Sequence, residues 1–313
     1  SVETDYGEGV NPFEVHPFAV LPLEWARADA RLLDQAKEAG LDLVVVDEAH
    51  RFFRGENEDA LSRLVESARH ALLLTATPLQ EDRRGFFKLL SLLHPDAFGS
   101  FKAFDKQVGK GEAIIPCTSS VRRSEVGGLP PRVAVPIDVG PPHDDLHRDP
   151  RSEWLAEQAP QWAAKGEKCL VFVRGVERLT QLVSFLESKT RTRVNVFHED
   201  LPVAKRDIEV AGFRESTVPL LVSTEAGGEG RNFQFCHRML HFDLPPDPVE
   251  LEQRIGRLDR IGRDAPVEIL YFRTEPSDAK KGPPDLARLY EGLALFDRPA
   301  SGLDTALAPV RPA

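Results

Sequence analysis

Cysteine is nearly absent from this 313-residue chain: Cys117, Cys169 and Cys236 are the three present, far apart and without a CxxC pair. A zinc site or a disulfide framework has nothing to be built from, and the sparse usage fits a reducing cytoplasm. All three are expected to be small buried hydrophobes. Methionine occurs once, and not at the start, so the chain is expected to begin partway through a longer protein. No apolar run approaches the ~20 residues that cross a bilayer. The opening SVETDYGEGV has neither the basic region nor the apolar stretch of a secretory signal, so no membrane partner is expected. An excess of positive charge is also lacking: 40 Lys+Arg against 50 Asp+Glu leave −10. A phosphate-binding surface must be locally basic, so any nucleic-acid groove would be a local feature of an acidic body.

What is present suffices for packed cores. The hydrophobic fraction is 41%, and the length suits about two domains of ordinary size. Glu24–Ala39 reads as an amphipathic helix closed by Gly40. Leu41–Val46 reads as a strand so apolar that it belongs to a parallel sheet covered on both faces. A helix near Asp59–Ala68, a second buried strand at Ala71–Leu74 and a helix over Arg84–Leu93 follow. Two strands are too few for a self-sufficient parallel sheet, so the remaining strands of this first half are expected upstream. Residues 127–150 hold six prolines and read as a connection containing one short strand, Val133–Val139. From Arg151 onward strands and helices alternate: helices at Ser152–Ala164, Glu177–Ser188, Val203–Arg214, Pro248–Ile255 and Leu286–Leu295, and strands at Lys168–Val173, Arg193–Phe197, Pro219–Ser223, Met239–Phe242 and Val267–Phe272. That alternation predicts a doubly wound α/β sheet. The expected organisation is therefore 1–126, a connection at 127–150, and 151–313.

Chemistry-bearing residues collect at the expected strand ends. Asp47, Glu48, Ala49 and His50 follow the first strand, where ligands bind in open α/β sheets. Two adjacent acids there suit nucleotide hydrolysis, one holding Mg²⁺ through water and the other orienting the attacking water. A solvated acidic loop is the plainer reading of those residues alone. Thr75 and Thr77 follow the second strand; two hydroxyls at a strand end can bond both an acid and a phosphate backbone, or form an ordinary turn. The loop STEAGGEGRNFQF frees backbone amides at Gly228 and Gly230 for phosphate, with Ser223, Thr224 and Asn232 adding side-chain hydrogen bonds. Arg254, Arg257, Arg260 and Arg263 recur at every third residue. On one helix they would crowd near one face, a repulsion tolerable if the partner is a polyanion, and guanidinium groups suit bidentate contact with a γ-phosphate.

In order and spacing, DEAH, LLLTATP, VRRSEVGGLPPR, KCLVFVRG, VSTEAGGEGRNFQF and EQRIGRLDRIGR resemble the Swi/Snf-like branch of helicase superfamily two. A narrower likeness, to bacterial RNA-polymerase-associated ATPases of that branch, is carried by DPRSEWL, VFHEDLPVAKRD, FDLP and YEGLALFD. The resemblance implies two RecA-like lobes, the first incomplete here, that hydrolyse ATP with Mg²⁺ and move on nucleic acid, most naturally duplex DNA, or remodel a nucleoprotein such as RNA polymerase. It implies that Asp47 binds Mg²⁺, that Glu48 activates water, and that Arg257 and Arg260 are arginine fingers with Gln253 beside them. His50, Gly228 and Gly230 would lie against nucleotide. Thr75, Thr77, Arg174, Ser223, Thr224 and Asn232 would meet nucleic acid or couple it to hydrolysis.

The chain departs from that pattern at two points. No G-x-x-x-x-G-K-[ST] occurs: Gly109-Lys110-Gly111 is followed by Glu112, and Ser188-Lys189-Thr190 lacks the glycines. In the family this phosphate-gripping loop lies upstream of DEAH. The connection between halves is also shorter than in the polymerase-associated relatives. Two other readings share the same motifs: a non-hydrolysing module that docks nucleic acid or polymerase, and a DEAH-type strand-separating helicase.

Overall fold

The computed structural model describes residues 10–22, 29–49, 58–75, 83–109, 130–224, 232–274 and 285–298. The chain divides into two compact units, 1–120 and 121–313.

In the first unit α1 (Pro12–Val15) and α2 (Ala30–Glu38) precede β1 (Leu43–Val46), α3 (Glu58–Ser67), β2 (His70–Leu73), α4 (Arg83–Leu93) and α5 (Phe101–Gly109). The described helix begins at Ala30, where Asp29 is extended and its carboxylate accepts the Arg31 N–H, satisfying a donor the first turn leaves open; the expected earlier part, from Glu24, lies outside the described residues. Gly40 follows at φ 70°, as the glycine stop predicts. The two strands pair in parallel, Leu43 opposite His70 through Val46 opposite Leu73. Val44, Val46, Ala71 and Leu73 pack on Leu33, Val65 and Leu89. The alternate residues Leu43, Val45, Leu72 and Leu74 remain 53%, 50%, 48% and 42% exposed. The strands expected to be buried on both faces are thus half-buried, since no element among the described residues covers the second face. Helix α5, unanticipated from sequence, joins α4 through Phe86, Phe87, Phe98, Phe101 and Phe104.

The second unit is built from β3 (Arg132–Val139), α6 (Pro150–Lys165), β4 (Cys169–Phe172), α7 (Val176–Thr190), β5 (Asn195–Phe197), α8 (Val203–Glu215), β6 (Leu220–Ser223), β7 (Arg238–His241), α9 (Pro248–Ile255), β8 (Val267–Thr274) and α10 (Leu286–Gly292). Its six strands run in the order β3-β8-β7-β4-β6-β5, and every described pairing is parallel. Residues 132–139, inside the proline-rich stretch, form an edge strand in register with β8; Pro136, which has no N–H to donate, is tolerated at such an edge. Strand alternation splits the core in two. Cys169, Val171, Leu220, Val222, Leu240 and Leu270 meet Leu155, Trp162, Leu182 and Phe185 of α6 and α7. Leu170, Phe172, Leu221, Met239, Ile269 and Tyr271 meet Phe213, Leu251, Ile255 and Tyr290 of α8, α9 and α10. Both faces of this sheet are therefore covered, and the tail docks by Phe296 stacking on Tyr271 at 3.8 Å.

Cys169 and Cys236 are free and buried, as expected, and burial pushes the Cys236 thiol up to about 11, which leaves it inert as a nucleophile. Cys117 lies outside the described residues.

The two sheets differ in how far water reaches their backbone, and local opening follows that difference. Amides of β1 and β2 are expected to exchange with solvent on the order of a hundredfold or more faster than those of β4, β6 and β7. Uniform protection in a hydrogen-exchange experiment would contradict this.

His241, the last residue of β7, is 1% exposed, and neither ring nitrogen finds a hydrogen-bond partner. Its ring lies nearly parallel to Phe172. Burial, reinforced by the Arg254 guanidinium, holds its pKa well below 6.5. Only the unfolded chain then takes up this proton, so the contribution is neutral above the ordinary pKa and destabilising below it. From pH 6.5 downward the loss amounts to about 1.4 kcal/mol per pH unit until the folded pKa is reached. Unfolding of His241→Phe and the parent chain across that range should show a stability gap that widens as pH falls. A pH-independent gap would rule the effect out.

Candidate functional site

In the first unit, parallel pairing brings the ends of β1 and β2 together. The Leu74 N–H donates to the Val46 carbonyl at 2.8 Å, and the Ala49 N–H donates to the Leu74 carbonyl at 2.7 Å. Asp47 and Glu48 therefore stand beside Thr75 at one sheet edge. The Asp47 carboxylate accepts the Glu48 N–H at 2.9 Å, and Glu48 adopts φ 49°, a left-handed turn that a non-glycine residue adopts uncommonly. That turn lets the fully buried Ala49 anchor the loop while Asp47 stays exposed and Glu48 half-buried. An exposed carboxylate at a strand end is a hard oxygen donor of the kind that holds Mg²⁺ through its water shell, with phosphates completing the sphere. His50 and Thr77 lie outside the described residues.

In the second unit, the loops following β4, β6 and β7 leave at the carboxyl edge of the sheet. Arg174 is exposed, and its N–H donates to the Asp243 carboxylate at 3.0 Å. Arg178 reaches the same carboxylate at 2.9 Å. Arg151 pairs at 2.7 Å with Asp149, which is fully buried and also caps α6. Ser223 and Thr224 are buried, with hydroxyls turned inward: Ser223 donates to the Thr224 carbonyl at 2.7 Å and Thr224 to Glu199 at 2.5 Å. Desolvation opposes the Glu199 charge, but the Thr224 hydroxyl, its own backbone N–H and the nearby His198 and Arg206 together outweigh it and hold this carboxyl below its usual range. Gly228 and Gly230 lie outside the described residues. Asn232 is exposed, and its side chain accepts the Gln234 N–H at 2.9 Å.

The arginine series is not a helical stripe. Helix α9 ends at Ile255, and the chain turns through Gly256–Gly262. Arg254 and Arg263 are buried, Arg257 is half-buried and Arg260 is exposed. Arg254 pairs with Glu250 and donates to the Asp243 carbonyl at 3.0 Å. Arg263 donates to the carbonyls of Leu258, Ala265 and Pro266 at 2.9, 2.8 and 2.9 Å. Arg260 Nε donates to the Gly256 carbonyl at 3.2 Å, and of the four Arg260 is the one left exposed. Gln253 is half-buried on the last turn of α9.

Two motifs far apart in sequence meet here. The Phe233 N–H donates to the Arg257 carbonyl at 3.1 Å, and the Gln234 amide donates to the Ile261 carbonyl at 3.0 Å. Phe233 and Gln234, at the end of that motif, thus lie directly on the arginine loop. Residues not singled out as site residues organise the place: Arg132, Glu252, Asp259, Asp243 and Glu199. Arg132, Asp243 and Glu199 do fall inside LPPR, FDLP and VFHEDLP, motif stretches in which an unexplained charge was the available signal.

The profile of the SNF2-related domain matches residues 18–122, and that of the helicase conserved C-terminal domain matches residues 151–262. The RNA polymerase-associated protein RapA of Stutzerimonas stutzeri is 31% identical over 364 residues, covering 86% of this chain and 38% of that protein. RapA of Pseudomonas fluorescens is 30% identical, covering 87% and 38%. The chain therefore spans 38% of the length of the curated relatives it matches. Among solved structures, S. cerevisiae Dbp5 bound to RNA and ADP BeF3 superimposes with a TM-score of 0.52 at 18% identity, over 85% of this chain and 61% of that one. That likeness bears on fold alone: parallel-sheet lobes of the RecA-like helicase kind. The chain carries an SNF2-related domain followed by a helicase conserved C-terminal domain, and over most of its length it is a homologue of the RapA proteins.

Proposed function

We propose that this chain is part of a nucleic-acid-stimulated ATP hydrolase that translocates on duplex DNA or remodels a DNA-bound RNA polymerase in the bacterial cytoplasm. The observation that carries the reading is the pairing of an acid loop and a hydroxyl loop at one sheet edge, Ala49 bonded to Leu74, with an outward Arg260 in the second unit. Bound ATP would supply the phosphoanhydride, and Mg²⁺ would neutralise charge on its β- and γ-oxygens. Asp47 would hold the cation through water. Glu48 would orient the attacking water and take up its proton, and its unusual backbone turn fixes where that carboxylate starts from. Arg260, with Arg257, would offset the negative charge gathering on the γ-phosphoryl oxygens, a contribution worth about 10³–10⁵ in rate where arginine fingers act. Gln253 would stand beside them. Arg174 and Asn232, exposed at the ends of their loops, would bond the backbone of the nucleic acid, and Thr75 would link that contact to the acids.

The half-exposed apolar face of β1 and β2 supports a further part of the reading: that upstream chain completes this sheet and brings the phosphate-gripping loop. Apolar strand faces of a parallel sheet are normally covered.

ATP turnover, measured with and without duplex DNA, tests this for the chain and for the chain extended by its native upstream coding sequence. DNA-stimulated turnover is expected in the extended protein, abolished by Glu48→Gln and lowered about 10³-fold by Arg260→Ala. Turnover that survives Glu48→Gln would overturn the assignment. Nucleotide or DNA binding with no turnover in either protein would favour the docking-module reading, and parting of the strands during turnover would favour the strand-separating one.

A further inference from the structure

We propose that Arg132 is a positioning residue for the arginine loop: from the first residue of β3 it holds Glu252 and Asp259 and so sets the backbone that presents Arg257 and Arg260. The proposal rests on the reading of those two arginines given above.

The geometry is that of a two-carboxylate clamp. The Arg132 side chain is 3% exposed and that of Asp259 1%. Its Nη1 and Nη2 donate to the two oxygens of Glu252 at 2.8 and 2.6 Å, and its Nε donates to Asp259 Oδ2 at 2.6 Å. A planar guanidinium offers these donors in a fixed fork, so binding both carboxylates fixes the end of α9 relative to the turn that follows it. Asp259 directly precedes Arg260 and lies two residues after Arg257. Its own N–H donates to the Ile255 carbonyl at 2.9 Å. Arg263 donates to the Leu258 carbonyl at 2.9 Å. The turn is thus held at Leu258 and Asp259, directly before Arg260, which stays exposed.

Neutralising buried Asp259 would take one cation of any shape. Three hydrogen bonds to two carboxylates seven residues apart do more, because they specify an orientation. Strand β3 is also the first strand of the second unit, so the residue that sets the arginine loop stands where the chain enters that unit.

The test compares Arg132→Gln, Arg132→Lys, Arg257→Ala and Arg260→Ala in the extended protein, reading kcat and KM for ATP well below the unfolding temperature. Amide exchange of 255–263 is read against that of β4, β6 and β7. Arg132→Gln is expected to lower kcat about 100-fold, the scale of a misplacement near an ångström, with little change in KM. Exchange should quicken in 257–261 while the central strands stay protected. Arg132→Lys, which keeps the charge and loses the fork, should fall between Arg132→Gln and the parent. If Arg132→Gln fails to fold, Glu252→Gln, whose side chain is 31% exposed, is read by the same two criteria. Unchanged kcat and loop exchange in a folded variant, with Arg257→Ala and Arg260→Ala both impaired, overturns the positioning role and leaves the ATPase reading intact. Full turnover in Arg257→Ala and Arg260→Ala overturns both.

Discussion

Parallel pairing is the constraint on which the rest of this molecule depends. When strands run the same way, each carboxyl end falls on one edge, and each return must cross a face of the sheet. In the second unit those crossings lay α6 and α7 on one face and α8, α9 and α10 on the other, so alternate residues of every central strand go to separate cores. The same rule joins the acid loop after β1 to the hydroxyl loop after β2 through one backbone hydrogen bond, Ala49 to Leu74. Chemistry contributed by distant sequence is thus gathered without any side chain having to reach far.

The arginine loop obeys a different logic. Its contacts are Arg132 at the start of β3, His237 just before β7 and Pro266 just before β8, the amino ends of strands rather than the carboxyl ends. Strand direction cannot organise that region, and buried charge does it instead. A buried carboxylate without a cation is severely destabilising, while a well-paired one adds little net stability. Asp259 with Arg132, and Asp149 with Arg151, are therefore better understood as fixing one arrangement than as strengthening the fold. The split within the arginine series is one of exposure: Arg254 and Arg263 are buried, while half-buried Arg257 and exposed Arg260 sit on the turn that is held. The clamp and the catalytic reading meet at this turn.

Among the described residues of the first unit, the parallel sheet has a single covered face. Its two strands pair in parallel and lead into Asp47, Glu48 and Thr75, yet Leu43, Val45, Leu72 and Leu74 stand half in water. Chemistry and stability separate there, because the loop geometry needs just the Val46–Leu74 neighbourhood while the packing needs a second layer.

The alternation of strands and helices from Arg151 onward was legible in the sequence, usually to within two residues at each end, because hydrophobic periodicity and caps such as Asp149, Asp247 and Gly166 act over a few residues of chain. Motif identity was legible for the same reason: DEAH, the glycine-rich loop and the arginine series are each contiguous. The burial of the four arginines was not, since equal spacing says nothing about it and α9 stops at Ile255. Helix α5 escaped because its apolar residues pack as an aromatic cluster with α4; the strand at 133–139 was legible within the proline-rich stretch, but its place at the edge of the second sheet beside β8 was not. What the sequence by itself determined is the local menu: which segments can be strand or helix, and which residues carry acid, hydroxyl or guanidinium. What tertiary structure alone decided is which of those groups face water, because the partners that bury them, Arg132 and Asp259 being 127 residues apart, are chosen by the topology of the sheet.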